Sequence, residues 1–361
     1  MQPNLLRINI MISGHRKPLS LLAFLVFGLA SGLPAAAAGD KGFAYVSNQS
    51  SGTVGVIDLD TLEMVAPLDV AAKGPRGIGI SSDGTFVVTA NKDSDNISIT
   101  DTTGTNPPKL IAIGKNPEFV RVMNGKAYVT YEPTPSTGLA GKASEKDDDA
   151  IPGHIAIVDL KTGKVVSDIV GKPETEGVEF TKDSKLMIVT NESDNSITVH
   201  DAKTGKLLKN IPVGQYGNRP RGIKNSPDGS LYVTTLEFSD KMLVLDSKYK
   251  VIKEVPTGKS PYGLSFDREG KRLFVASNKE KALQVFDAQT FEKIKDIHTG
   301  DRCWHFTFTP DDSKILLACG KSNEIVVIDT ATLEVIKRIE DKNLPWGLVT
   351  YPKSMGSLDR E

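Results

Sequence analysis

Residues 220–246 read "PRGIKNSPDGSLYVTTLEFSDKMLVLD". The runs "RGIKNS", "LYVTTL" and "KMLVLD" are short and separated by turn formers. A fourth run, "VIKEVPTG", follows at 251–258. Apolar and β-branched runs of this length between Gly, Pro, Asp and Ser clusters read as strands. Pro227, Asp228 and Gly229 supply the fixed φ, the acceptor and the flexible position of a hairpin turn. Interior runs such as "MLVL" and "IVVI" are apolar on both faces, as sheets stacked one upon another require.

The unit recurs along the chain. A strand ending in aspartate appears as "TVGVID", "NISITD", "HIAIVD", "SITVHD", "MLVLD", "ALQVFD" and "EIVVID". The aspartates are Asp58, Asp101, Asp159, Asp201, Asp246, Asp287 and Asp329, spaced 43, 58, 42, 45, 41 and 42 residues apart. One unit therefore carries an insertion, and residues 133–153, polar and bracketed by prolines, read as an inserted loop of blade 3. Its run Asp147–Asp148–Asp149 lacks a rigid ligand frame and reads as solvated. Four strands per unit of this period is the signature of a β-propeller blade. The expected fold is all-β: a seven-bladed propeller of four-stranded blades over residues 39–361. The units are staggered, starting with "FAYVSN" and ending with an extra strand, "LPWGLVTY". Pairing these two closes the ring and removes an open sheet edge. The aspartates themselves have turn-forming carboxylates and carry no catalytic expectation.

Composition excludes some partners. The first 38 residues hold Arg7, Arg16 and Lys17 and no acid, which leaves 41 basic against 45 acidic residues in the remainder. Such a balance gives no reason to expect nucleic acid or an anionic membrane. "GHRKP", "LSLLAFLVFGLA" and "LPAAAAGD" make the basic, apolar and small-residue parts of a signal peptide, with cleavage after Ala38. The apolar part is shorter than the ~20 residues of a membrane span. The start is Met1 or Met11. An exported, periplasmic monomer is expected.

The strings "AYVSN", "IVTN" and "SPDG…LYVTT", followed by "VID…T" and "PRGI", resemble the YVTN-repeat β-propeller family across about residues 43–351. The stretch from "GDRCWHFTFTPDD" to "LPWGLVTYP" is most similar to exported propellers associated with PQQ-dependent alcohol catabolism. A more distant likeness is to the haem d1 propeller domain of cytochrome cd1 nitrite reductase. The resemblance implies fold; it does not fix chemistry.

In a propeller the innermost strands line a central channel, and the loops leading into them crowd one mouth. A Pro-x-Gly signal marks that point in each unit. Its middle residue is Arg76, Glu118, Glu176, Arg221, Tyr262, Trp304 or Trp346, a set holding both tryptophans of the chain. Two readings are open. The acids pair with the arginines and the aromatics cover the core, or the ring is a ligand pocket. Guanidinium groups hold carboxylates and aromatic walls stack planar rings, so PQQ or a modified haem suits the second reading. On it, replacing Arg76 and Arg221 together removes anion binding and leaves the fold intact.

The third position of the signal is mostly glycine, but blade 7 has His305 and blade 3 has Phe119. A side chain there points toward the channel or its wall. His305 is thus a candidate ligand of the channel, and a lone axial haem ligand needs only one histidine. Pairing residue 308 with 314 across the "PDDS" turn sets Cys303 opposite Cys319, within disulfide reach in an exported protein, unless a bulge shifts the register. The rival is a Cys303/His305 metal site. "GKS" at 258 and 320 lacks the glycine a phosphate loop needs, and H-E-x-x-H, C-x-x-C-H and G-x-S-x-G do not occur. No catalytic residue and no metal site is assigned. The expected role is non-catalytic binding or scaffolding at the mouth, for a periplasmic protein or a small planar anionic ligand. The alternatives are a carrier of a planar redox cofactor and a metal-dependent lactonase-like hydrolase using Glu118, Glu176, Asn91 and Asn191.

Overall fold

The computed structural model describes residues 41–132 and 151–360. The expected signal segment 1–38 and most of the inserted loop lie outside them. Seven four-stranded antiparallel sheets form seven blades. Blade 1 joins Pro345–Tyr351 to Phe43–Asn48, so the ring is closed by strands from both ends of the propeller. The innermost strands of blades 2 to 7 are Pro75–Ile80, Val120–Met123, Thr175–Phe180, Pro220–Asn225, Pro261–Phe266 and Cys303–Phe308. The middle strands are apolar on both faces and buried; the outermost expose single residues such as Val170, Leu208 and Ile294. No helix among the described residues is long and apolar enough to cross a membrane.

The repeated residues hold each blade to the next. Six of the seven innermost strands carry a register shift beside the Pro-x-Gly signal, as between Pro220 and Ile223. A bulge leaves backbone groups unpaired and re-aims side chains. In blade 5 the freed N–H of Gly222 donates to the Thr235 hydroxyl at 3.0 Å, and that hydroxyl donates to the Tyr262 carbonyl of blade 6 at 2.8 Å. Thr190 makes the same link from Gly177 to the Arg221 carbonyl, at 2.9 and 2.7 Å. Ser47 makes it from Gly347 to Arg76. The hydroxyl at the fifth position of these strands is therefore an inter-blade link. The asparagine that follows works within the blade: Asn191 Nδ2 donates to Thr198 at 3.2 Å, and Asn91 Nδ2 to Ser98 at 2.8 Å.

Close approach dictates the glycines. A Cβ on Gly222 would lie 2.5 Å from the Tyr262 carbonyl, and one on Gly77 2.5 Å from that of Glu118. The third position of the signal faces the neighbouring blade's backbone, not open channel. The seven repeat aspartates accept turn N–H groups, as Asp58 does from Thr61 at 2.9 Å and Asp329 from Thr332 at 2.8 Å.

The axis is filled by the chain itself. After Tyr351 the tail turns back and pairs with the innermost strand of blade 7: Phe308 N–H donates to Met355 O at 2.8 Å and Ser357 N–H to Phe306 O at 2.9 Å. Leu358 is fully buried against Gly347. Arg121 of blade 3 donates to Leu358 O at 3.0 Å, and Arg360 donates to Asn225 of blade 5. A segment touching the inner strands of blades 1, 3, 5 and 7 lies on the axis. Around it Glu179 takes Arg121 and Lys224, at 3.2 and 3.3 Å, which outweigh the effect of burial and hold its carboxyl down at about 2.

Candidate ligand site at the channel mouth

The inner-strand bulges bring most of the signal residues into contact. Arg76 is paired with Glu118, and its guanidinium lies 6.0 Å from the Trp346 ring centre. Arg221 pairs with Glu176 at 3.0 Å and stacks on Tyr262 at 4.1 Å. Tyr262 meets Trp346 edge to face at 6.4 Å. Trp304 packs instead over Gly320, with Arg302 at 5.7 Å from its ring.

His305 completes the aromatic group, 5.2 Å from Tyr262 and 4.4 Å from Trp346. Its Nδ1 bonds the tail hydroxyl of Ser357 at 3.0 Å, and its Nε2 is buried without a partner. Burial, with Arg221 and Lys224 nearby, holds the imidazole well below its usual range, so it is neutral at pH 7. Cys303 and Cys319 are joined in a disulfide. The register differs from the one expected: Phe308 pairs with Ile315, and the bulge before Phe306 restores Cys303 opposite Cys319. The bulge makes this pairing where it was expected to spoil it. With both thiols oxidised, a Cys303/His305 metal site is excluded.

A second ring sits beside the first and was missed in the sequence. The residue directly after the second strand of each blade is Gln49, Lys92, Glu132, Glu192, Glu237, Asn278 or Gly320. Each donates its backbone N–H across to the loop that starts an inner strand, as Glu192 does to Glu174 O at 2.8 Å and Glu237 to Arg219 O at 2.9 Å. The signal was available as charged residues at one fixed position of the repeat. Glu192 takes both Arg219 and Arg221; Glu237 lies 3.5 Å from each; Glu174 takes Arg219 at 2.9 Å. Lys92 lies 3.6 Å from Glu118.

Six carboxylates (Glu118, Glu132, Glu174, Glu176, Glu192, Glu237) thus face four cations (Lys92, Arg76, Arg219, Arg221). Burial tends to raise the Glu118 carboxyl, but Arg76, Lys92 and Arg221 outweigh it and hold it low. Glu176 is pushed up to about 7 by burial, against the pull of Arg221. Glu132 is pushed up to about 8 by burial, then by Glu118 and Glu174. The arginines are committed to buried acids. Replacing Arg76 and Arg221 together would strand those charges, so the expectation of an undisturbed fold does not survive. Arg76, Arg219 and Arg221 are thus spent on acids, whereas Arg302, against the Trp304 ring, makes no ion pair among the described residues. The lactonase-type set is also dispersed, since Asn91 and Asn191 are buried in hydrogen bonds inside their blades. No group of three His, Cys, Asp or Glu residues among those described is placed to hold a metal ion.

Comparison with known proteins agrees on architecture. The family model described as "Lactonase, 7-bladed beta-propeller" matches residues 35–119. Antigen Lp49 of Leptospira interrogans serogroup Icterohaemorrhagiae serovar copenhageni (strain Fiocruz L1-130) is 25% identical over 265 residues, covering 68% of this chain and 55% of that protein. The chain spans about half the length of that curated relative. Among solved structures, a putative 6-phosphogluconolactonase from Bacteroides uniformis ATCC 8492 superposes with a TM-score of 0.69 at 18% identity, covering 85% of this chain and 99% of that one. The dihydro-heme d1 dehydrogenase NirN, in complex with DHE, superposes at 0.62 with 18% identity, covering 87% and 76%. The chain is a seven-bladed β-propeller.

Proposed function

We propose that this protein is an exported, periplasmic, non-catalytic binding propeller that uses its channel mouth for a ligand or a segment of a protein partner. One observation carries the reading. Four buried nitrogens, Arg76 Nε, Arg221 Nε, Trp346 Nε1 and His305 Nε2, lack a hydrogen-bond partner, and all sit on residues in mutual contact around Tyr262. Buried polar atoms are rarely left so; the arginine and tryptophan N–H donors call for oxygen acceptors, and the His305 ring nitrogen calls for a donor, since Ser357 donates its hydroxyl to Phe306 O and accepts from Nδ1. The tail packs against this group through Ser357, which bonds His305. The signal-like segment 1–38 and the disulfide support export, since disulfides persist in oxidising compartments.

Native mass spectrometry of protein purified from its own periplasm tests this. The expected result is a bound small molecule or a stoichiometric partner, with a shift in the emission of Trp304 and Trp346 on its removal. A bare chain with unchanged emission counts against the reading. A second reading, a planar redox cofactor such as PQQ or a modified haem, is supported by the aromatic walls and by the likeness to NirN in complex with DHE. The acidic surplus of the mouth disfavours the polyanionic members of that class. A Soret or quinone band in the purified protein would select this reading over the first.

A further inference from the structure

Glu132 differs from the other acids of the mouth. Each of the remaining five has an arginine within ion-pair distance. Glu132, only 7% exposed, has no ion pair among the described residues and accepts instead from Asn116 Nδ2 at 3.0 Å. Asn116 is itself 4% exposed, is held by a backbone N–H bond to Asp95 at 3.2 Å, and leaves its side-chain oxygen Oδ1 buried without a partner. One corner of the mouth therefore presents a carboxyl without a countercharge among the described residues and an orphaned acceptor on the amide that touches it. Lys115, whose backbone carbonyl accepts the Glu132 N–H at 2.9 Å, is exposed and makes no ion pair among the described residues, and the other cations around the corner are engaged elsewhere. Lys92 of blade 2 lies on Glu118, Arg219 of blade 5 lies on Glu174 and Glu192, and Glu118, Glu174 and Glu192 add negative potential.

A buried carboxylate without a partner is costly, and an acceptor pair of this kind is satisfied by a charged N–H donor. We propose that the Glu132–Asn116 corner holds an alkylammonium group of the ligand, with Glu132 as countercharge and Asn116 Oδ1 as a second acceptor. The proposal rests on the mouth being the ligand site and names the ligand's chemistry there. The ammonium can come from a small diamine or from a lysine side chain of a partner protein. Binding it at neutral pH expels the proton that the unpaired carboxyl holds, its pKa being about 8.

Calorimetric titration of the full mature chain with putrescine tests the proposal, with a lysine-containing tetrapeptide as the second arm and 1,4-butanediol and succinate as controls. Tighter binding of putrescine assigns a free diamine; tighter binding of the peptide assigns a protein lysine; either supports the proposal. Affinity is expected to tighten about tenfold from pH 7 to pH 9, because the ionised fraction of a group with pKa near 8 rises by about that factor while an alkylammonium stays protonated. Glu132→Gln is expected to weaken binding at least tenfold and abolish the pH slope. Asn116→Gly, which suits the left-handed backbone at φ 49°, is expected to weaken it several-fold. Glu132→Gln removes a charge that has no partner, so its unfolding midpoint should not fall; this separates lost binding from lost fold. Butanediol or succinate binding with no response to amines would overturn the proposal and leave the mouth standing as a ligand site. Silence with all probes, an unchanged Kd in Glu132→Gln, or amine binding gained only after Lys142 and Lys146 of the inserted loop are changed to Gln would each overturn it.

Discussion

His305 answers to its neighbours more than to its own chemistry. In four blades its position is glycine because the next blade's carbonyl leaves no room for a Cβ, and in blade 1 because Leu358 of the tail lies against it. In blade 7 it lies against Trp346 and is bonded to the tail hydroxyl of Ser357. Glu132 shows the opposite case, a group whose titration is felt by the whole fold. Its carboxyl sits at about 8 in the folded protein against about 4.3 in the unfolded chain, and the Glu176 carboxyl sits at about 7. Between those values the folded state holds more protons than the unfolded state. Stability from both groups is complete below about pH 4 and is lost as pH rises through 7 to 8. Glu132→Gln should therefore match wild type near pH 4 and exceed it at pH 9 by on the order of a few kcal/mol, since one pKa unit is worth about 1.4 kcal/mol. Chemical unfolding at the two pH values measures this; an equal difference at both would show that Glu132 titrates in the folded protein as it does in the unfolded chain.

At the scale of the strand, the bulge, the glycine and the fifth-position hydroxyl form one device. The bulge frees a glycine N–H, the hydroxyl accepts it, and the same hydroxyl reaches the next blade. Gly222→Ala sets a methyl carbon 2.5 Å from the Tyr262 carbonyl. Forcing an extra carbon into such a packed contact costs about 1–3 kcal/mol. The loss should appear as a lower unfolding midpoint and as faster hydrogen exchange at the blade 5–blade 6 seam. A neutral Gly222→Ala would mean that the blades separate there without strain.

At the scale of the molecule, two separate features involve the chain's end. The strand Pro345–Tyr351 completes blade 1, and the tail after it, through Met355, Ser357, Leu358 and Arg360, fills the axis. Truncation after Pro352 keeps the closure and removes the plug. It uncovers the site of Leu358 and strips Arg121 of the Leu358 carbonyl and Asp359. Loss of one buried leucine alone costs about 2–5 kcal/mol. The truncated protein is expected to stay a seven-bladed ring by circular dichroism, to melt at lower temperature, and to show a red-shifted Trp346 emission. An unchanged melting temperature would mean that the tail does not hold the axis in solution.

Repeat spacing, strand alternation and turn residues were enough to determine seven blades, their four strands and the closing pair, because each follows from local propensity and a fixed period. The Pro-x-Gly ring was legible for the same reason: one residue per repeat, at one register. The second ring was equally periodic, and went unread because charged residues after a strand look like solvated turns until the neighbouring blade buries them. What only the tertiary structure decided was long-range. The bulge that sets Cys303 against Cys319, the tail that fills the axis, and the pairing that leaves Glu132 without a cation among the described residues all depend on distances between blades, and no local pattern along the chain encodes those.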